Sequence, residues 1–128
     1  MMTVLRVFDT DAESGRLLGV DRLLALLLQL QLVSADGTWV IDRGAWGYGT
    51  WICGLEDELE KRDRLDVLPT RLLRALDEGE YFYDVSIEVV SDPPVRVGLV
   101  DSSFLFVDGP PPVIAAVAAE FASTETVE

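Results

Sequence analysis

The stretch Tyr81 to Val107, YFYDVSIEVVSDPPVRVGLVDSSFLFV, decides the fold class. Tyr81, Tyr83, Val85, Ile87 and Val89 alternate with Phe82, Asp84, Ser86 and Glu88, the period of two that marks a half-buried strand. Ser91 to Pro94 reads as a turn. Pairing Val89 with Val95, Glu88 with Arg96 and Ile87 with Val97 keeps both apolar rows on one face and sets opposite charges side by side, so this is the expected register. A tight connection at Asp101-Ser102 leads to a third strand, Ser103 to Val107, which completes an antiparallel meander.

Upstream of the meander the period changes. Pro69 suits a first helical position, and Arg71 to Asp77 closes with Gly79, the residue expected just past a helix end. From Glu56 to Arg64 three acids stand four residues before a base, Asp57 with Lys61, Glu58 with Arg62 and Glu60 with Arg64, which is the favourable order on a solvated helix. Residues 50–63 are therefore expected to be helical, with Leu55 and Leu59 inward. The segment RGAWGYGT, Arg43 to Thr50, reads as a loop. From Val20 to Gln31 the leucine-rich run VDRLLALLLQLQ predicts a buried helix. Its end is open, because Leu28 to Leu32 also alternates and leads through Ser34-Ala35-Asp36-Gly37 into Thr38-Trp39-Val40-Ile41, so residues 28–41 are either helix or hairpin. Residues 3–8 alternate as a strand expected to join the sheet. Downstream of the meander, Pro110 to Pro112 precede a short helix at Val113 to Phe121.

The expected fold is one α+β domain over residues 1–121, an antiparallel sheet with a meander at about residues 80–107, packed by two to four helices on one face. Residues 122–128 are expected to be a frayed tail. A chain of 128 residues with 49% hydrophobic and 26% charged residues suits one core and leaves little room for a second.

Composition removes several chemistries. The chain has no histidine, which excludes Ser-His-Asp and Cys-His nucleophiles, imidazole acid-base catalysis and histidine-ligated metals. The single cysteine, Cys53, cannot pair within the chain; among Ile52, Gly54 and Leu55 it is expected to be a buried structural thiol, as suits a reducing cytoplasm. The paired carboxylates of residues 56–60 lie in a run of alternating charge, where nothing raises a general acid's pKa. No cofactor is expected, and no catalytic residues are assigned. The start of the chain, Met1 to Asp11, lacks a basic leader followed by an apolar run, and the longest apolar stretch, Leu23 to Val33, is too short to span a bilayer.

Acidic residues number 23 against 10 basic ones, a net charge of −13, so nucleic acid and anionic membrane surfaces are disfavoured and a basic protein partner is favoured. Cutting the chain after residue 64 gives 11 acids and 7 bases before the cut, net −4, and 12 acids and 3 bases after it, net −9. The same charge also serves solubility alone. Trp46, Tyr48 and Trp51 combine large rings with flanking glycines; they either anchor a partner or plug the core, Trp51 being the ring expected innermost.

The leading expectation is a non-enzymatic acidic protein that binds a basic protein, with Trp46 and Tyr48 as anchors and Asp84, Glu88 and Asp92 as steering charges. The logic is that of a small immunity-like toxin antagonist of bacterial type, by analogy of physics only. Two other classes remain beside it. One is a small metal-dependent enzyme using Asp9, Asp11 and Glu13, whose spacing imperfectly matches a calcium loop, since Gly15 falls at position seven and Val20 stands where a bidentate Glu is required. The other is a structural homodimer through a sheet edge or the leucine-rich helix.

Overall fold

The computed structural model describes residues 3–128; Met1 and Met2, which the reading of residues 1–121 as one domain includes, lie outside the described residues. The elements run β1 (Thr3–Val7), α1 (Val20–Gln29), β2 (Trp39–Asp42), β3 (Trp46–Tyr48), α2 (Thr50–Lys61), β4 (Arg64–Val67), α3 (Pro69–Asp77), β5 (Tyr81–Val89), β6 (Val95–Val100), β7 (Phe104–Gly109), α4 (Pro111–Ala118) and β8 (Thr124–Val127). The architecture is α+β with an antiparallel sheet, ordered β4-β2-β5-β6-β7-β1-β8, and β3 adds to β5 beside this path. Leu5, Val7, Ile41, Val85, Ile87, Val97, Leu105 and Val107 form a buried row across the sheet. Leu23 and Leu27 of α1, Ile52 and Leu59 of α2, Leu72 of α3 and Val117 of α4 pack into the same core. Burial of this continuous row drives the two-layer arrangement. The opposite sheet face carries half-buried and exposed side chains, Arg6, Asp42, Arg64, Ser86, Glu88, Arg96, Phe104 and Phe106 among them.

The meander has the register that its charges and apolar rows predict: Ile87 faces Val97, Glu88 faces Arg96 and Val89 faces Val95. Helix α3 begins at Pro69, and α1 ends at Gln29, so Leu30 to Thr38 is connecting chain and the hairpin alternative for 28–41 leaves only β2 as strand.

Several expectations are corrected. Residues 122–128 do not fray: β8 pairs with β1, Val4 opposite Val127 and Arg6 opposite Glu125. Both Asp9 carboxylate oxygens accept main-chain N–H groups, from Ala122 at 2.9 Å and Ser123 at 2.7 Å, and these bonds hold the returning chain in place. The 43–50 segment is not all loop, because Trp46–Tyr48 forms β3 on the edge of β5. Helix α2 stops at Lys61, with Arg62 extended at φ −141° and ψ 151°, so the proposed Glu60–Arg64 pair does not form. Arg64 instead bonds Asp42 at 3.0 Å and Glu88 at 3.2 Å from β4. Cys53 is exposed rather than buried. Ile52, Leu55 and Leu59 take the inward stripe of α2, and Cys53, about 100° around the helix from Ile52, falls outside it.

The β6–β7 turn, between the paired residues Val100 and Phe104, holds Asp101 and Ser102 both at positive φ, 43° and 57°, the left-handed region that Asn and Gly occupy with least strain. Replacing Asp101-Ser102 with Asn-Gly is expected to raise stability by about 1–2 kcal/mol, because side chains other than those of Gly and Asn are strained there. Chemical denaturation of the double variant would show a higher midpoint at unchanged slope, and a midpoint at or below wild type contradicts the assignment of strain.

Candidate aromatic binding face

Strand β5 contains an irregularity that builds a surface. Trp46 lies opposite Asp84 while its neighbour Gly47 lies opposite Phe82, so Tyr83 is the extra residue of a β-bulge. The bulge reverses the inside–outside order of β5. Phe82 is 4% exposed and joins the core, while Tyr81 is 46% exposed, so the row that the sequence pattern placed inward begins at Val85. Ser102 N–H takes the Tyr83 carbonyl at 2.8 Å, and the Asp84 carboxylate accepts the Asp101 N–H at 2.9 Å. The bulge and the strained β6–β7 turn therefore hold each other.

Four rings gather on this surface. Trp46 packs on Tyr83 with centroids 4.6 Å apart, Tyr48 stacks on Tyr81 at 5.2 Å, and Tyr81 meets Tyr83 edge to face at 5.2 Å. Such pairs carry stabilisation beyond their buried area, so the rings form a pre-ordered patch rather than independent side chains. Trp46 at 44%, Tyr48 at 61% and Tyr81 remain exposed, and Tyr83 is half-buried among them. Trp51 is half-buried, with the Arg71 guanidinium 5.4 Å from its ring centroid. Further along the same sheet face, Arg6 lies over Phe104 at 4.8 Å, and Phe8 meets Phe104 at 5.8 Å.

The structure brings Trp46, Tyr48 and Asp84 together, and it adds Tyr81 and Tyr83. Glu88 is drawn into a cross-strand quartet: Arg96 bonds Asp42, Ser86 and Glu88, while Arg64 bridges the same two acids from β4. Its charge is therefore compensated locally. Asp92 lies in the β5–β6 turn, at the opposite end of β5 from the rings. Sequence reasoning missed the two tyrosines because they occupy the alternation of a buried row; the one available signal was that they are Tyr, with a polar tip, where Val and Ile follow.

The hydroxyls of Tyr81 and Tyr83 share a hydrogen bond at 3.1 Å. This bond raises the Tyr81 phenol above its ordinary value of 10.0; desolvation and the Tyr83 charge act in the same sense, and Arg16 opposes them. A raised folded-state pKa means stability fully present below pH 10 and lost as pH rises through the folded value. Ultraviolet titration is expected to show one tyrosine ionising late, and Tyr83→Phe should return it toward the ordinary value. A titration unchanged by that substitution would separate the shift from the bond.

The acids of the 9–13 loop have structural partners. Besides the Asp9 bonds to the tail, Asp11 accepts the N–H groups of Glu13 at 2.8 Å and Ser14 at 3.0 Å and lies 3.7 Å from Arg22. The bonds from Ser14 and Glu13 hold its carboxyl below the usual carboxylate range; desolvation opposes them, and the Arg22 charge adds to them. Among the described residues no group of three or more His, Cys, Asp and Glu side chains is placed to hold a metal, and no helix is long and apolar enough to cross a membrane. Comparison with protein-family models, with curated proteins and with solved structures finds no match.

Proposed function

We propose that the protein is a non-enzymatic binding module whose aromatic sheet face docks a basic protein partner. The observation that carries this reading is the cluster of Trp46, Tyr48, Tyr81 and Tyr83, ring packed on ring, with Tyr83 half-buried and the other three exposed, on the sheet face opposite the helical layer. Rigid Trp and Tyr side chains are the groups that dominate interface energies, because they supply area with few rotatable bonds. Asp84 beside Trp46 and Asp101 in the adjoining turn supply negative charge at the patch, on a chain of net −13. A cationic side chain is attracted both to these carboxylates and to the ring faces. A small antagonist of a basic toxin would present this kind of surface. The lone exposed thiol of Cys53 fits a reducing compartment such as the cytoplasm.

The test uses tagged protein and lysate of its own source, side by side with a Trp46→Ala/Tyr48→Ala variant that keeps wild-type far-ultraviolet circular dichroism. The wild type should retain a basic protein at low salt and release it as salt rises, because charge steering is screened. The variant should retain at least about tenfold less, the loss of little more than one contact. Equal retention by both proteins, or retention insensitive to salt, defeats the reading.

A further inference from the structure

Away from the aromatic face, the sheet ends at β4, which pairs with β2 on one side and, among the described residues, has no strand on the other. A groove of about 710 Å³ runs along this end, lined by Trp51, Leu55 and Glu58 of α2, by Leu65 to Val67 of β4 and Leu68 just after it, and by Arg71 of α3. Three features of the groove point to an occupant. Its floor is apolar and Leu68 is 72% exposed, a large side chain left without cover. The Arg71 guanidinium, held over Trp51, keeps Nη1 buried with no hydrogen-bond partner among the described residues, which is costly unless an acceptor arrives. Glu58 and Asp66 at the rim take part in no ion pair among the described residues, whereas Glu78 lies 3.8 Å from Arg74, and Glu80 caps α2 by accepting the Ile52 N–H at 3.0 Å.

We infer that this groove takes an extended basic peptide segment, added as a strand along the free edge of β4. Strand addition uses the unpaired main-chain groups of the edge for affinity and pockets for alternate side chains for specificity. Side chains alternate along such a segment. One set lies toward Trp51, Leu55 and Val67 and must be apolar. The other lies on the Asp66 side and should be Lys or Arg, because the free rim charges are carboxylates. A main-chain carbonyl or terminal carboxylate of the segment is the acceptor that Arg71 lacks. This inference stands apart from the aromatic face: the two surfaces share no residue, and either can fail without the other.

The probe is a synthetic pentapeptide, acetyl-Arg-Val-Lys-Val-Arg-amide, titrated into the whole protein at low salt and followed by amide chemical shifts. Expected are shifts confined to Leu65 to Arg71 and α2, slowed amide exchange in β4, and at least tenfold weaker binding of the analogue N-methylated at alternate amides. Glu58→Lys/Asp66→Lys, two surface changes that leave the core untouched, should weaken the basic probe by about tenfold or more and improve an acetyl-Glu-Val-Glu-Val-Glu-amide probe. Three results overturn the inference: no binding at millimolar peptide, binding indifferent to N-methylation, or shifts that fall on Trp46 and Tyr81 instead. A concentration-dependent dimer whose contacts map to β4 also overturns it, since the edge would then belong to a second copy of the chain.

Discussion

Alanine at Trp39 is expected to lower stability by about 3–5 kcal/mol, the range for truncating a fully buried Trp. Trp39 is 0% exposed and heads the largest side chains of the core. It stands in β2 between Val67 of β4 and Val89 of β5, so its ring fills the space under the sheet end that also bears the groove. The indole Nε1–H donates to the Ser34 carbonyl at 3.1 Å, which ties the connection after α1 to the sheet. Removing the ring leaves a cavity that three strands and a loop cannot close together. A domain of this size is stable by about 5–15 kcal/mol in all, so the variant should melt about 10–20 °C lower, and hydrogen exchange should quicken first in β4. Trp39→Phe keeps most of the volume and loses the bond to an exposed Ser34 peptide, which water can replace, so less than half the penalty is expected. A loss below 1 kcal/mol for alanine would mean that the β4 end of the sheet contributes little to the core.

The parts of this fold that were legible in the sequence are those whose partners are local or whose patterns are complementary. The register of β5 on β6 follows from Glu88 meeting Arg96 between the apolar pairs Ile87–Val97 and Val89–Val95, because a one-residue slip exposes every apolar side chain. Pro69 and Gly79 bracket α3 by their own backbone preferences. What was not legible depends on distant chain. Strand β8, Thr124-Glu125-Thr126-Val127, has no apolar row and exists because β1 offers an edge and Asp9 offers two oxygens. Residue spacing made Glu60 and Arg64 neighbours on a helix, yet Asp42 and Glu88 on adjacent strands compete for the same guanidinium. The candidate site divides in the same way. Trp46 and Tyr48 stood out through their glycines, while Tyr81 and Tyr83 became surface residues only through a bulge made by strand β3.

That bulge makes Gly47→Ala the most damaging small change for the site. A Cβ at Gly47 would overlap the Tyr81 carbonyl oxygen and sit 2.7 Å from the Phe82 Cα, both backbone atoms that cannot swing aside. Only glycine lets β3 approach β5 across the extra residue, a close approach of the kind bulges impose. Among the described residues strand β3 pairs with β5 alone, so the strain is expected to release by detaching β3 rather than by unfolding the sheet. The cost to global stability should then be modest, about 1–3 kcal/mol, whereas the patch should be lost almost completely. Trp46 would leave Tyr83 and Tyr48 would leave Tyr81, so the near-ultraviolet circular dichroism of the coupled rings should collapse while the far-ultraviolet spectrum stays close to wild type. Retention of a basic partner should fall as far as in Trp46→Ala/Tyr48→Ala, although every ring is still present. Gly54→Ala is the matching control. A Cβ there meets nothing within 4 Å, and alanine inside α2 is expected to stabilise by about 0.5–1 kcal/mol. If Gly47→Ala leaves the near-ultraviolet spectrum and the late tyrosine titration as they were, ring order does not depend on β3. The patch is then held by β5 alone, and Trp46 and Tyr48 lose their place as its organised half.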